Sequence, residues 1–73
     1  MAMNEKTRFV KDKTGMTIKA LAAEIGYDHK TISRGLRGKI QIGYKLAKIL
    51  SELTGINPLY FMEDNSKLED YLN

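Results

Sequence analysis

Seventy-three residues, 42% of them hydrophobic, with a net charge of +3 and no cysteine, describe one domain built on a single small core. No disulfide framework or thiolate metal site is available, a single histidine argues against zinc, and no metal or cofactor is expected. No apolar run approaches the ~20 residues of a membrane span and the N-terminus lacks the apolar core of a signal peptide, so the expectation is a soluble cytoplasmic protein.

The charge is unevenly placed. Residues 1–50 hold eleven Lys/Arg against four Asp/Glu, and residues 51–73 hold one Lys against five Asp/Glu. A basic body with an acidic end points to a polyanionic partner for the body, with a solvated basic surface as the plain alternative.

Glycines cut the chain into short helical pieces, and no period-two strand pattern occurs. The first piece spans about 4–13, with Phe9 and Val10 as core contacts, helped by Met3. The second opens at Thr17, a good N-cap without the acidic partner of a full capping box. Ile18, Leu21, Ala22 and Ile25 fall on one stripe at helical spacing, and Gly26 ends the piece. Asp28 caps a third helix over 29–37, closed by Gly38. Ile32 and Leu36 point one way, Lys30, Ser33, Arg34 and Arg37 the other, and His29 lies at the edge between the two faces.

A fourth piece runs from about 43 to 54, with Ile42, Leu46, Ile49, Leu50 and Leu53 as its apolar stripe. The segment "NPLYFM" restarts a helix with Asn57 as cap and Pro58 at the first position. Of Tyr60 and Phe61, one is expected in the core and the other at the surface. Ser66 and Glu69 have capping-box spacing, consistent with a short last helix carrying Leu68 and Leu72 or with a frayed acidic tail over 63–73. The reading is an all-α bundle of about five short helices in one domain, its core spanning about 4–62.

Two helices of about eight residues joined by Gly26, Tyr27 and Asp28 have the layout of a helix-turn-helix, whose second helix enters the major groove of DNA. The stretches "KTGMTIKALAAEIG", "YDHKTISRGLRGK" and "LAKILSELTGINPLYFM" resemble the lambda-repressor-like family, the phage repressor and Cro type (XRE family) of helix-turn-helix protein. The family's threonine cap, leucine–alanine pair, turn glycine, hydrophobic middle and closing Arg-Gly fall on Thr17, Leu21 and Ala22, Gly26, Ile32, and Arg37 and Gly38. Two positions depart from the pattern. Ile18 stands where the family often has glutamine, and Gly35 where a large side chain is common.

The resemblance implies sequence-specific binding of double-stranded DNA by a transcriptional regulator, a repressor of phage or prophage type. It places His29, Lys30, Ser33 and Arg34 at base edges. Arg34 is the leading residue, because a guanidinium bonds guanine O6 and N7 as a fork. It places Thr17, Thr31, Arg37, Lys39 and Tyr44 at phosphates, with the N-terminus of the fourth helix adding backbone donors. One such domain reads half an operator, so a homodimer on an inverted repeat is expected.

Nothing in the chain supports catalysis or a small-molecule substrate: there is no phosphate-cradling glycine loop and no carboxylate pair with an acid/base partner. The alternative is an antitoxin-like or accessory adaptor of the same fold, whose main partner is a protein met by the acidic tail and the "PLYF" segment.

Overall fold

Polar caps and glycine stops divide the chain into α1 (Glu5–Thr14), α2 (Ile18–Ile25), α3 (His29–Leu36), α4 (Tyr44–Thr54) and α5 (Leu59–Met62), followed by a 3₁₀ turn at Leu68–Asp70. These elements come from a computed structural model that describes residues 4–63 and 67–71. Among the described residues the fold is all-helical, and no helix is long and apolar enough to cross a membrane. Met3, Ser66 and Leu72, to which the sequence assigns a core contact, a cap and a last-helix contact, lie outside the described residues.

The first three helices are capped by side chains. Asn4 Oδ1 accepts from the Thr7 N–H at 3.0 Å, Thr17 Oγ1 from the Ala20 N–H at 3.1 Å, and Asp28 Oδ1 from the Lys30 N–H at 3.1 Å. Each bond satisfies one of the donors that a helix start leaves without an intrahelical partner. Asn4 does a second job. Its Nδ2 donates to the Leu36 carbonyl at 2.7 Å, tying the start of α1 to the end of α3. In α5, Asn57 Oδ1 accepts from the Leu59 N–H at 2.9 Å beside the helical Pro58.

One core joins all five helices. It contains Phe9, Val10, Leu21, Ala22, Ile32, Leu36, Ile42, Leu46, Ala47, Leu50, Ile56, Tyr60 and Phe61. Ile18 and Ile25 of the expected α2 stripe are half-buried against it. No polar or charged residue is wholly buried among the described residues, so burial is almost entirely apolar.

Two expectations are corrected. Leu53 is 41% exposed, and Ala47 is buried in its place. The buried arc of α4 runs from Leu46 through Leu50 to Ala47. Ile49, about 60° past the Leu46 edge, is half-buried, and Leu53, about 20° past it, lies in the last turn of the helix, where it is exposed. Tyr60 and Phe61 do not divide between core and surface: both are buried, and Leu59, at 47% exposure, faces out. Phe9 reaches across from α1 to meet Tyr60 edge-on at 5.7 Å, and Phe61 packs on Tyr60 at 5.1 Å. These are favoured aromatic geometries.

The described part of the C-terminal end lies against α1 and α5. The Leu68 N–H donates to Glu5 Oε1 at 2.9 Å, and Tyr71 Oη donates to Glu63 Oε1 at 2.7 Å. Tyr71 also stacks at a tilt on Tyr60, 6.0 Å between ring centres.

Candidate nucleic-acid interface

The turn between α2 and α3 is built on backbone. Gly26 adopts φ +78°, the left-handed conformation in which a side chain is strained. That bend lets the Tyr27 N–H return to the Ala22 carbonyl at 2.9 Å. Asp28 then restarts the helix, and α3 packs chiefly against α2 while also meeting α1. Leu21, Ala22, Ile32 and Leu36 are buried, so the small Ala22 and the apolar side of α3 hold the pair together.

The opposite side of α3 is free. Lys30, Arg34 and Arg37 are exposed, and His29 keeps 46% of its side chain accessible. Its Nδ1 stands 3.8 Å from the Asp28 carboxylate. Among the described residues no hydrogen bond or ion pair engages the side chains of Lys30, Arg34, Arg37 or Lys39. The basic side chains are therefore presented to solvent, and the described C-terminal segment is tied elsewhere, by Leu68 to Glu5 of α1 and by Tyr71 to Glu63 after α5.

The end of α3 is a closed motif. α3 stops at Leu36, Arg37 is its C-cap, and Gly38 takes φ +77°. The Gly38 N–H bonds the Gly35 carbonyl at 3.1 Å and the Lys39 N–H bonds the Arg34 carbonyl at 2.8 Å. This double closure is a Schellman motif, and it fixes Lys39 two residues beyond Arg37.

The other residues singled out in the sequence occupy the flanks. Thr17 is exposed at the start of α2, and its hydroxyl keeps a free proton while its oxygen accepts the capping bond. Thr31 and Ser33 are half-buried beside the basic face. Tyr44 opens α4 and is 60% exposed. Alone among the four longer helices, α4 has no side-chain cap bond, its N-cap being Gly43. Thr31 shares a surface groove with Tyr27, Gln41 and Lys45 of the flanking segments.

Three residues support the site in ways the sequence reading did not assign. Asn4 anchors the last carbonyl of α3 from α1. Gly35 is buried and accepts the side chain of Ile42 against its bare Cα. A glycine in the middle of a helix is itself a signal that something approaches closely. Lys45, exposed in the first turn of α4, adds a cation near the groove.

Two short helices around a glycine turn, the second with its cationic side outward, define a helix-turn-helix domain. A family model described as helix-turn-helix matches residues 9–61. The chain belongs to the lambda-repressor-like (XRE) helix-turn-helix family, whose members are DNA-binding transcription regulators. No curated protein and no solved structure matches it.

Proposed function

We propose that the protein is a transcriptional repressor of phage or prophage type that reads a specific duplex sequence with α3 in the major groove. The observation that carries this reading is the outward face of α3, where Lys30, Arg34 and Arg37 are exposed and unpaired beside the exposed His29. His29, Lys30, Ser33 and Arg34 take the base edges, Arg34 by a two-pronged bond to guanine. Thr17, Thr31, Arg37, Lys39 and Tyr44 take phosphates, joined by the uncapped backbone donors at the start of α4.

The chain acts as one DNA-binding unit in the cytoplasm, without a cofactor or catalytic step. It works as a homodimer on an inverted repeat, with half-sites about 34 Å apart. Leu53 and Leu59, both exposed where α4 ends and α5 begins, supply apolar surface for that pairing. The adaptor reading, which gives the protein contact to the acidic tail and the "PLYF" segment, loses Tyr60 and Phe61, which are buried, and keeps Leu59, which is exposed.

Selection of bound sequences from a random duplex pool tests the proposal. A two-fold symmetric motif is expected, with affinity that falls steeply as salt rises. Binding with no sequence preference at any salt concentration refutes the reading. Sedimentation of the protein on its selected duplex tests assembly, and one protomer per full repeat at saturation refutes the homodimer.

A further inference from the structure

We propose that Gly35 and Ile42 form a positioning lock that sets the distance between the base-reading helix α3 and the phosphate-binding start of α4. The proposal rests on the DNA-binding reading above and names a part of its machinery that lies away from the contact surface.

Gly35 is the one glycine inside a helix among the described residues, and glycine is disfavoured there against alanine. Its importance lies in the space it leaves. A Cβ at position 35 would stand 2.5 Å from Ile42 Cγ1 and 3.0 Å from Ile42 Cδ1. Real side chains do not approach so closely, so any larger residue at 35 pushes Ile42 away. Ile42 cannot easily give, being β-branched and 3% exposed within the core.

The consequences run along the chain in both directions. Ile42 directly precedes Gly43, the cap of α4, and Tyr44 and Lys45 follow in its first turn. On the other side the Lys39 N–H is fixed to the Arg34 carbonyl. The segment 39–42 is thus pinned to α3 at both ends, by a backbone bond at Lys39 and by side-chain packing at Ile42. Lys39, Tyr44 and Lys45 are exposed around these two pins. A duplex has a fixed spacing between base edges and phosphates, so two rigid elements can satisfy both only at one separation. Gly35 with Ile42 sets that separation here.

The lock predicts a cycle of variants. Gly35→Ala breaks it by collision and Ile42→Ala breaks it by leaving a void. Gly35→Ala/Ile42→Ala removes the collision and restores one contact, because the original Ile42 Cβ lies an ordinary 3.9 Å from the added methyl, which fills part of the void. The measurement is the slope of log affinity against log salt on the selected duplex, taken on protein shown to be folded by circular dichroism. Each phosphate that the protein no longer neutralises makes the slope shallower by about 0.9. Each single variant is expected to have a slope shallower by about 1–2, and the double variant a slope closer to the wild type than that of Gly35→Ala, whose collision it removes. The base preference read by α3 persists in all three.

Lys45→Ala, an exposed change with no bearing on folding, is expected to make the slope shallower by about 0.9 in the wild type and by less in the Ile42→Ala background. Wild-type slopes in the folded Ile42→Ala and Gly35→Ala proteins would overturn the lock, as would full additivity of Lys45→Ala with Ile42→Ala. Failure of the underlying DNA reading looks different: the wild-type protein would then show no sequence preference on duplex DNA at any salt concentration, whatever the lock variants do.

Discussion

Tyr60 Oη donates to Glu5 Oε1 at 3.1 Å, and the Leu68 N–H donates to the same oxygen at 2.9 Å. One carboxylate in the first turn of α1 thereby holds both the buried aromatic of α5 and the segment that follows it. Lys6 adds to the same corner: its Nζ donates to the Glu63 carbonyl at 2.6 Å and lies 5.3 Å from the Tyr60 ring centre. Glu5→Ala removes both hydrogen bonds at once. A drop of about 1–3 kcal/mol in unfolding free energy is expected, with faster amide exchange at Leu68. Denaturant melts and hydrogen exchange measure the two effects. Tyr60→Phe should cost less in the Glu5→Ala background than in the wild type, since their shared bond is already gone.

Alkaline pH acts through the same hydrogen bond. Burial pushes the Tyr60 hydroxyl above the ordinary tyrosine range, and the hydrogen bond to Glu5 and the carboxylate's charge push in the same direction. The folded protein therefore keeps this proton where the unfolded chain, with a tyrosine pKa of about 10, gives it up. Above that pH the unfolded state binds fewer protons, so stability falls as pH rises. Tyr71 moves the same way, chiefly through its bond to Glu63, so the comparison must isolate Tyr60. Between about pH 9 and pH 11 the wild type should lose up to about 1.4 kcal/mol more than Tyr60→Phe. Equal losses in the two proteins by denaturant titration would refute this origin.

Asn4 offers a separation of two roles in one side chain. Its oxygen caps α1 and its nitrogen holds the Leu36 carbonyl at the end of α3. Asn4→Asp keeps an acceptor suited to the cap and loses the donor, whereas Asn4→Ala loses both. The alanine variant is expected to cost about 1–3 kcal/mol, the aspartate variant roughly half of that. Thermal melts measure the order. An aspartate variant as stable as the wild type would show that the link from α1 to α3 contributes nothing.

Much of the fold was legible because its signals are local. Thr17, Gly26 and Asp28 mark the ends of α2 and α3 by their own backbone chemistry, and Leu21, Ala22, Ile32 and Leu36 follow helical phase into the core. The misses are non-local. Ala47 carries little hydropathy, so nothing in the sequence favours it over Leu53, yet packing turns that side of α4 inward. Tyr60 and Phe61 are both buried because Phe9, far away in the chain, provides the ring that meets Tyr60. For the candidate site, helical phase alone placed Lys30, Arg34 and Arg37 outward. The sequence displayed Gly35 as an oddity but could not reveal that Ile42 occupies the space it leaves. Nor could it pair Asn4 with Leu36, a bond that exists only once α1 and α3 have met.

Arg34 and Lys39 are joined through backbone, the Lys39 N–H on the Arg34 carbonyl, yet the proposed roles of their side chains differ in kind. Arg34 belongs to the outward face of α3, where a guanidinium can bond a guanine edge with two hydrogen bonds. Lys39 follows the helix, where an ammonium meets phosphate as a point charge. Arg34→Ala should therefore cost about 1–3 kcal/mol on the selected duplex and much less on unrelated DNA, flattening preference at one base position. Lys39→Ala should weaken binding to both duplexes by a similar factor and make the salt slope shallower by about 0.9. Competition titrations on the two duplexes at several salt concentrations separate these outcomes. Uniform weakening by Arg34→Ala, with every base preference intact, would move Arg34 from the base edges to the phosphates.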